Sequence, residues 1–214
     1  MSAAQLEPTL PSSWYRSAEV FRAEKERIFC REWIAACREE DLPNPGDYRI
    51  LDVVGENLLL VRNREGSLRA FYNVCRHRGS RLCRTPEEKA ALGVALPGGI
   101  AAGRIVCPYH QWSYDFDGAL VAAPHLSAAD GFKKQDFHLY PVGVDTWGGF
   151  VFLNLTPAEA EPLAAQLAGI PERLQRYPLR DLRIGTTIRY EVAANWKILC
   201  ENYNECYHCG GVHP

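Results

Sequence analysis

Two short stretches, "NVCRHRGSRLC" and "VCPYHQWSY", constrain the fold of this chain more than any other part of it. The first holds Cys75-x-His77 and the second Cys107-x-x-His110. In each, the pair stands at the end of a strand-like run and is followed by residues suited to a loop. Two thiols and two imidazoles in matched pairs are metal-ligand chemistry. The ligands can serve one centre only if the two loops meet, although residues 78–106 separate them.

A structural zinc ion uses these ligand types, but a zinc finger more usually keeps its cysteines together in one short pair. Here each loop offers one thiolate and one imidazole. That alternation suits a Rieske-type 2Fe-2S cluster, in which two His replace two Cys on one iron. Gly79 and Ser80 after His77, and Ser113 after the second pair, are small enough for N–H and hydroxyl groups to reach the sulfurs, which raises the reduction potential. Pro108 and Trp112 are positioned to shield the cluster. Cys83 is not among the four ligand positions and reads as a packed thiol.

The remaining chain is that of an ordinary globular protein. Of its 214 residues 47% are hydrophobic and the formal net charge is −2, so non-specific nucleic-acid binding is not indicated. No apolar run suggests a signal peptide or a membrane span, which leads to a cytoplasmic reading. Cytoplasmic thiols stay reduced, so the eight cysteines read as metal ligands, buried apolar residues or reactive thiols, with Cys30 and Cys37 as buried thiols. Residues 17–33 pattern as a helix with Ser17 as its N-cap. From 43 to about 155, short β-like runs alternate with turn signals such as "REGS" and "DFDG". Residues 156–170 read as a helix capped by Thr156 with Pro157 at its first position. Residues 184–192 read as a strand, and Asn195 as the cap of a last helix ended by Gly210 and Gly211.

That last helix carries a second constellation, "ENYNECYHCGGVHP". Helical periodicity places Glu201, Glu205 and His208 on one face. His213, after the Gly-Gly break, can fold back toward His208. Two imidazoles held this way are two thirds of the 2-His-1-carboxylate site of non-heme Fe(II) oxygenases. Cys206 and Cys209 leave two other readings open, a redox dithiol and a Cys/His zinc site. A dithiol motif would ordinarily sit at a helix N-terminus, where the dipole lowers the thiol pKa.

"CRHRGSRLC" with "CPYHQWSYDFDG" resembles the Rieske domain of the alpha subunit of Rieske non-heme iron oxygenases. "NWKILCENYNECYHCGGVHP" resembles the start of the catalytic domain in the same family. Matched by position, Cys75, His77, Cys107 and His110 are the cluster ligands, and His208 and His213 the two iron-binding histidines. Asn202 matches an asparagine close to that iron. Glu205 stands where most members carry an aspartate, which bridges a cluster histidine of one subunit to an iron histidine of its neighbour in a trimer. With that glutamate, both motifs are most similar to the betaine, carnitine and stachydrine oxygenase branch. The spacing between the ligand pairs is longer than usual in the family. The extra length is "TPEEKAALGVALPGGIAAG", read as a surface insertion of little entropic cost.

The resemblance implies an all-β Rieske domain of small antiparallel sheets with two cluster-binding loops. It also implies a helical N-terminal arm and the start of an α+β catalytic domain. The expected boundaries are 1–40 for the arm and helix, 41–155 for the Rieske domain and 156–214 for an incomplete catalytic domain. Electrons from NAD(P)H would come through a flavin/iron-sulfur reductase, pass the 2Fe-2S cluster and reach a mononuclear Fe(II). There O2 and a small-molecule substrate would react, with monooxygenation or demethylation of a quaternary ammonium compound favoured. An aromatic-ring-hydroxylating dioxygenase and, from another class, a Rieske ferredoxin without its own catalysis are the alternatives. The family's third iron ligand is a carboxylate further downstream, so the chain reads as a truncated alpha subunit of a homotrimer, inactive by itself.

Overall fold

The computed structural model describes residues 8–91, 98–124, 126, 131–205 and 211. In chain order the elements are α1 (Ser12–Arg16), α2 (Ala18–Glu24), β1 (Ile34–Arg38), β2 (Tyr48–Val53), β3 (Glu56–Arg62), β4 (Leu68–Tyr72), α3 (Pro86–Ala91), β5 (Gly99–Ala101), β6 (Arg104–Val106), β7 (Ser113–Tyr114), β8 (Leu120–Ala122), β9 (Pro141–Trp147), β10 (Phe150–Asn154), α4 (Leu163–Leu167), α5 (Ile170–Leu174) and α6 (Trp196–Asn204). They form two compact units, Ile28–Arg183 and Met1–Arg27 with Ile184–Pro214. Among the described residues, no helix is long and apolar enough to cross a membrane.

The larger unit is built on two antiparallel sheets. One has six strands in the order β1-β10-β9-β4-β3-β2, and the other four in the order β5-β6-β7-β8. Strand β3 explains how they share an interior. Successive side chains of a strand point to opposite faces. "LLLV" is an unbroken apolar run, so both faces of β3 are buried. Leu58 and Leu60 fill one core with Leu153 and Val151. Leu59 and Val61 fill the other, with Phe71, Trp112 and Tyr114. Cys75, Cys83 and Cys107 belong to that second core. Cys83 is fully buried and its thiol is pushed up to about 12 by burial, so it is the inert packed residue expected.

Several local expectations hold. The Ser17 hydroxyl accepts from the N–H groups of Glu19 and Val20, and the Asn195 side-chain Oδ1 accepts from Lys197 N–H. Others change. The helix expected from Thr156 begins only at Leu163. Pro162 disfavours helical backbone at the residue before it. The Thr156 hydroxyl instead donates to the Cys30 carbonyl at 2.7 Å. The expected strand at 184–192 has no regular secondary structure, and Ile188, Tyr190 and Val192 are exposed.

The larger unit runs to Arg183, and β1 with its approach holds the segment after β10. Trp33 N–H donates to Gln166 Oε1 at 2.7 Å, and Gln166 Nε2 returns a bond to the Trp33 carbonyl at 2.9 Å. Buried Arg38 donates to the carbonyls of Gly148, Leu179 and Leu182 at 3.2, 3.0 and 2.8 Å. The N-terminal helices α1 and α2 are grouped with the C-terminal segment.

The "DFDG" turn shows how closely the sheets are fitted. Gly118 has φ +88°, and a Cβ there would lie 2.5 Å from a Phe71 ring carbon. Gly55 has nearly the same φ, +87°, but open space around it. Gly55→Ala is therefore expected to cost only the left-handed backbone penalty, about 1–2 kcal/mol. Gly118→Ala adds the displacement of a core ring, about 1–3 kcal/mol more. Urea unfolding midpoints of the two variants check the difference.

Candidate metal centre

The two ligand-bearing loops have the same backbone. At the neck of the first, Val74 bridges Arg81; at the neck of the second, Val106 pairs with Ser113. Cys75 N–H donates to the Ser80 carbonyl and Cys107 N–H to the Trp112 carbonyl, both at 2.8 Å. Gly79 N–H returns to the Cys75 carbonyl at 3.0 Å, and Gln111 N–H to the Cys107 carbonyl at 3.1 Å. The arch closes through a left-handed residue in each case, with φ +68° at Gly79 and +59° at Gln111. Glycine adopts this freely, whereas Gln111 bears a cost of about 1–2 kcal/mol. The arches differ in where the histidine falls, two residues past Cys75 and three past Cys107.

The arches converge. Cys75 and Cys107 are 3% and 2% exposed and unoxidised, with their thiols hydrogen-bonded to each other. His77 and His110 are both exposed, with ring centroids 4.7 Å apart at 64°. Trp112 stacks on His77 at 4.8 Å and 9°, and Tyr109 lies 3.8 Å from His110. Trp112 is itself held edge-on by Phe132 and Phe137, with centroids 5.6 and 5.4 Å away. The result is a buried sulfur pair beneath an exposed imidazole pair. Among the described residues, no three His, Cys, Asp or Glu side chains gather around a point suited to a single ion.

The electrostatics favour the ligand forms of Cys107 and His77. Cys107 is lowered to about 5, chiefly because Cys75 donates to it. Burial opposes this, and the N–H groups of Tyr109 and His110 and the Ser80 hydroxyl reinforce it. Cys75, holding the shared proton, is raised. His77 is lowered by desolvation and then by the charges of His110 and Arg78, so its neutral, metal-binding form is favoured. The Tyr114 hydroxyl lies 3.3 Å from Cys75 Sγ and accepts from Arg76 N–H at 3.2 Å. Burial, then the bond to Cys75, raises its pKa and keeps it protonated. Two thiols in the interior, two imidazoles at the surface and hydrogen-bond donors on the sulfurs fit a 2Fe-2S cluster with one iron on each pair.

The structure brings together the four residues expected as ligands and Ser80, and adds Tyr114, which the sequence motifs do not single out. Those motifs point to Ser113 for a hydroxyl, one residue too early. The available signal was a tyrosine placed on a fully buried strand, where its hydroxyl needs a partner. The expected surface insertion is partly structural. Thr85 and Glu88 make a reciprocal capping box at α3, and the rest supplies β5, an edge strand.

His208 and His213, with Cys206 and Cys209, lie outside the described residues. Asn202 sits on α6 as expected. Glu205 does not continue that helix. It follows the last turn with φ −109° and ψ 106°, and it is exposed. The single helix face expected to carry Glu201, Glu205 and His208 is therefore broken before Glu205.

Residues 32–141 match the family described as Rieske [2Fe-2S] domain. Residues 179–214 match the family described as ring hydroxylating alpha subunit (catalytic domain). The carnitine monooxygenase oxygenase subunit of Acinetobacter baumannii is 38% identical over 209 residues, 96% of this chain and 53% of its own length. The glycine betaine monooxygenase oxygenase subunit of Pseudomonas aeruginosa is 36% identical over 207 residues, 96% of this chain and 45% of its own. The crystal structure of the quaternary ammonium Rieske monooxygenase CntA with L-carnitine matches with a TM-score of 0.84 at 38% identity, covering 96% of this chain and 55% of that one. This chain spans about half the length of the relatives it matches.

Tyr114→Phe removes one hydrogen bond from Cys75 and leaves the ring in place. The sulfur becomes more electron-rich, which disfavours reduction. The cluster-loaded variant is expected to show a midpoint potential lower by about 40 mV, from roughly 1 kcal/mol for the bond. Protein-film voltammetry of the two proteins measures this.

Proposed function

Since this chain belongs to the Rieske [2Fe-2S] domain family, with the ring-hydroxylating alpha-subunit match following it, we propose that it is the electron-accepting part of an oxygenase acting on a quaternary ammonium compound. The observation that carries the reading is the pairing of buried Cys75 and Cys107 with exposed His77 and His110. The names of the relatives, carnitine and glycine betaine monooxygenase oxygenase subunits, support the substrate class.

In this reading Cys75 and Cys107 hold one cluster iron and His77 and His110 the other, while His208 and His213 contribute to a mononuclear Fe(II) site. When bound, the cluster would pass on single electrons from an NAD(P)H-linked reductase, and the mononuclear iron would supply oxygen activation. The protein's part is to insulate and orient. Trp112 and the core around it keep water from the sulfurs. The exposed imidazole edges are the low-resistance way in and out for electrons. Asn202, on α6, would lie close to the mononuclear site. Glu205, free of the helix backbone, is able to accept from an imidazole on each side. That would join the mononuclear site of one subunit to the cluster of its neighbour in a trimer. A carboxylate on a ligating imidazole fixes the ring and raises its basicity.

Purified aerobically, the protein is expected to be brown, and after reduction to give the low average g value of a mixed Cys/His cluster. A colourless, zinc-loaded protein overturns the assignment. In the full-length enzyme, Glu205→Gln should leave both metal sites filled and reduction of the cluster by the reductase unchanged. Substrate oxidation should fall roughly 10–100-fold. Normal turnover would show that electrons take another route. Turnover of simple aromatics but not of carnitine or glycine betaine would reverse the substrate assignment.

A further inference from the structure

The smaller unit contains a buried ion pair with no part in the cluster. Glu24 is 8% exposed and Lys197 9%. The Lys197 ammonium donates to Glu24 Oε1, and Trp196 Nε1 donates to Glu24 Oε2 at 2.9 Å. Both carboxylate oxygens are thus used by consecutive residues of α6. Two further bonds join the same segments. Asn195, while capping α6, donates from Nδ2 to the Tyr15 carbonyl at 3.1 Å. The Tyr15 hydroxyl donates to Glu201 Oε1 at 2.7 Å, one turn along α6. The Lys197 ammonium also stands 5.6 Å from the Tyr15 ring centroid.

Local preference does not explain Glu24. It is the last residue of α2 and is buried, where a carboxylate loses its hydration. A π-helical turn, Lys25–Phe29, follows at once, a geometry that is rare and concentrated at functional sites. A buried carboxylate persists only where its hydrogen bonds are met. Here Trp196 and Lys197 outweigh the cost of burial and hold its pKa below the usual range. The Asn195-Trp196-Lys197 run thereby acquires a physical role: the first residue caps the helix and the next two grip one carboxylate.

We propose that Glu24 is a positioning residue for α6: it sets the rotation of that helix and so the placement of Asn202 and of the exit toward Glu205. The inference rests on reading α6 as the helix that leads to the mononuclear iron. It gives the N-terminal helices a part in the oxygenase half rather than in the electron-carrying half.

The test compares the 214-residue chain with Glu24→Ala, Glu24→Gln and Glu24→Ala/Lys197→Met variants by amide hydrogen exchange. Glu24→Ala should speed exchange across Ile198–Asn204 at least about tenfold, with Leu58–Val61 unchanged as internal reference. Glu24→Gln, which keeps one acceptor oxygen, should lie between. The double variant, which removes the stranded ammonium as well, should recover part of the protection. That recovery distinguishes a specific grip from general loosening. Unchanged exchange in α6 for Glu24→Ala, or equal loosening of both units, would overturn the proposal. Iron analysis separates this from the reading beneath it. A full-length wild-type protein, with the downstream carboxylate present, that takes up no iron beyond the cluster pair defeats the reading of α6 as iron-bearing, and the exchange data decide the anchor independently.

Discussion

Everything in the larger unit depends on closing two arches over two buried sulfurs. The bonds from Cys75 N–H to Ser80 C=O and from Cys107 N–H to Trp112 C=O seal each arch at its base. Sealed arches can be pushed into the core with their backbone groups already paired, so the thiols are buried without stranding polar atoms. The four-stranded sheet supplies one arch, the loop after β4 supplies the other, and β3 backs both through Leu59 and Val61. The aromatic wall of Trp112, Phe132 and Phe137 then limits the freedom of the exposed His77 imidazole.

The offset of the histidines follows from the same geometry. With identical arches, imidazoles at equal offsets would occupy equivalent positions. Placing His77 two residues along and His110 three residues along brings the rings to the surface from different points of the arch. Gln111 shows that the arch takes precedence over local preference, since it holds a conformation suited to glycine.

Much of this was legible in the sequence because it is local. The ligand pairs, the caps Ser17 and Asn195, and the short strand runs are patterns of adjacent residues. What was not legible depends on distant partners. Tyr114 meets Cys75 across 39 residues, and Arg38 reaches carbonyls more than a hundred residues away. The alternation at 184–192 suggested a strand, but a strand needs an edge to pair with, and alternation alone does not provide one. The helix expected at Thr156 gives way to a local signal, Pro162, which delays it to Leu163. The grouping of the two chain ends rests on Tyr15 and Glu24, whose partners lie 180 and more, and 172–173, residues on.

That last separation bears on how the protein is made. The carboxylate of Glu24 leaves the ribosome 173 residues before Lys197. At bacterial-to-eukaryotic synthesis rates the delay is roughly 9–35 seconds. Residues 28–183 contain their own two cores and can collapse within that interval. Until then the N-terminal helices have a solvated acid where the finished fold has a buried one, and they remain available to chaperones. Translation speed through residues 28–183 thus sets how long the first 27 residues wait for their partner.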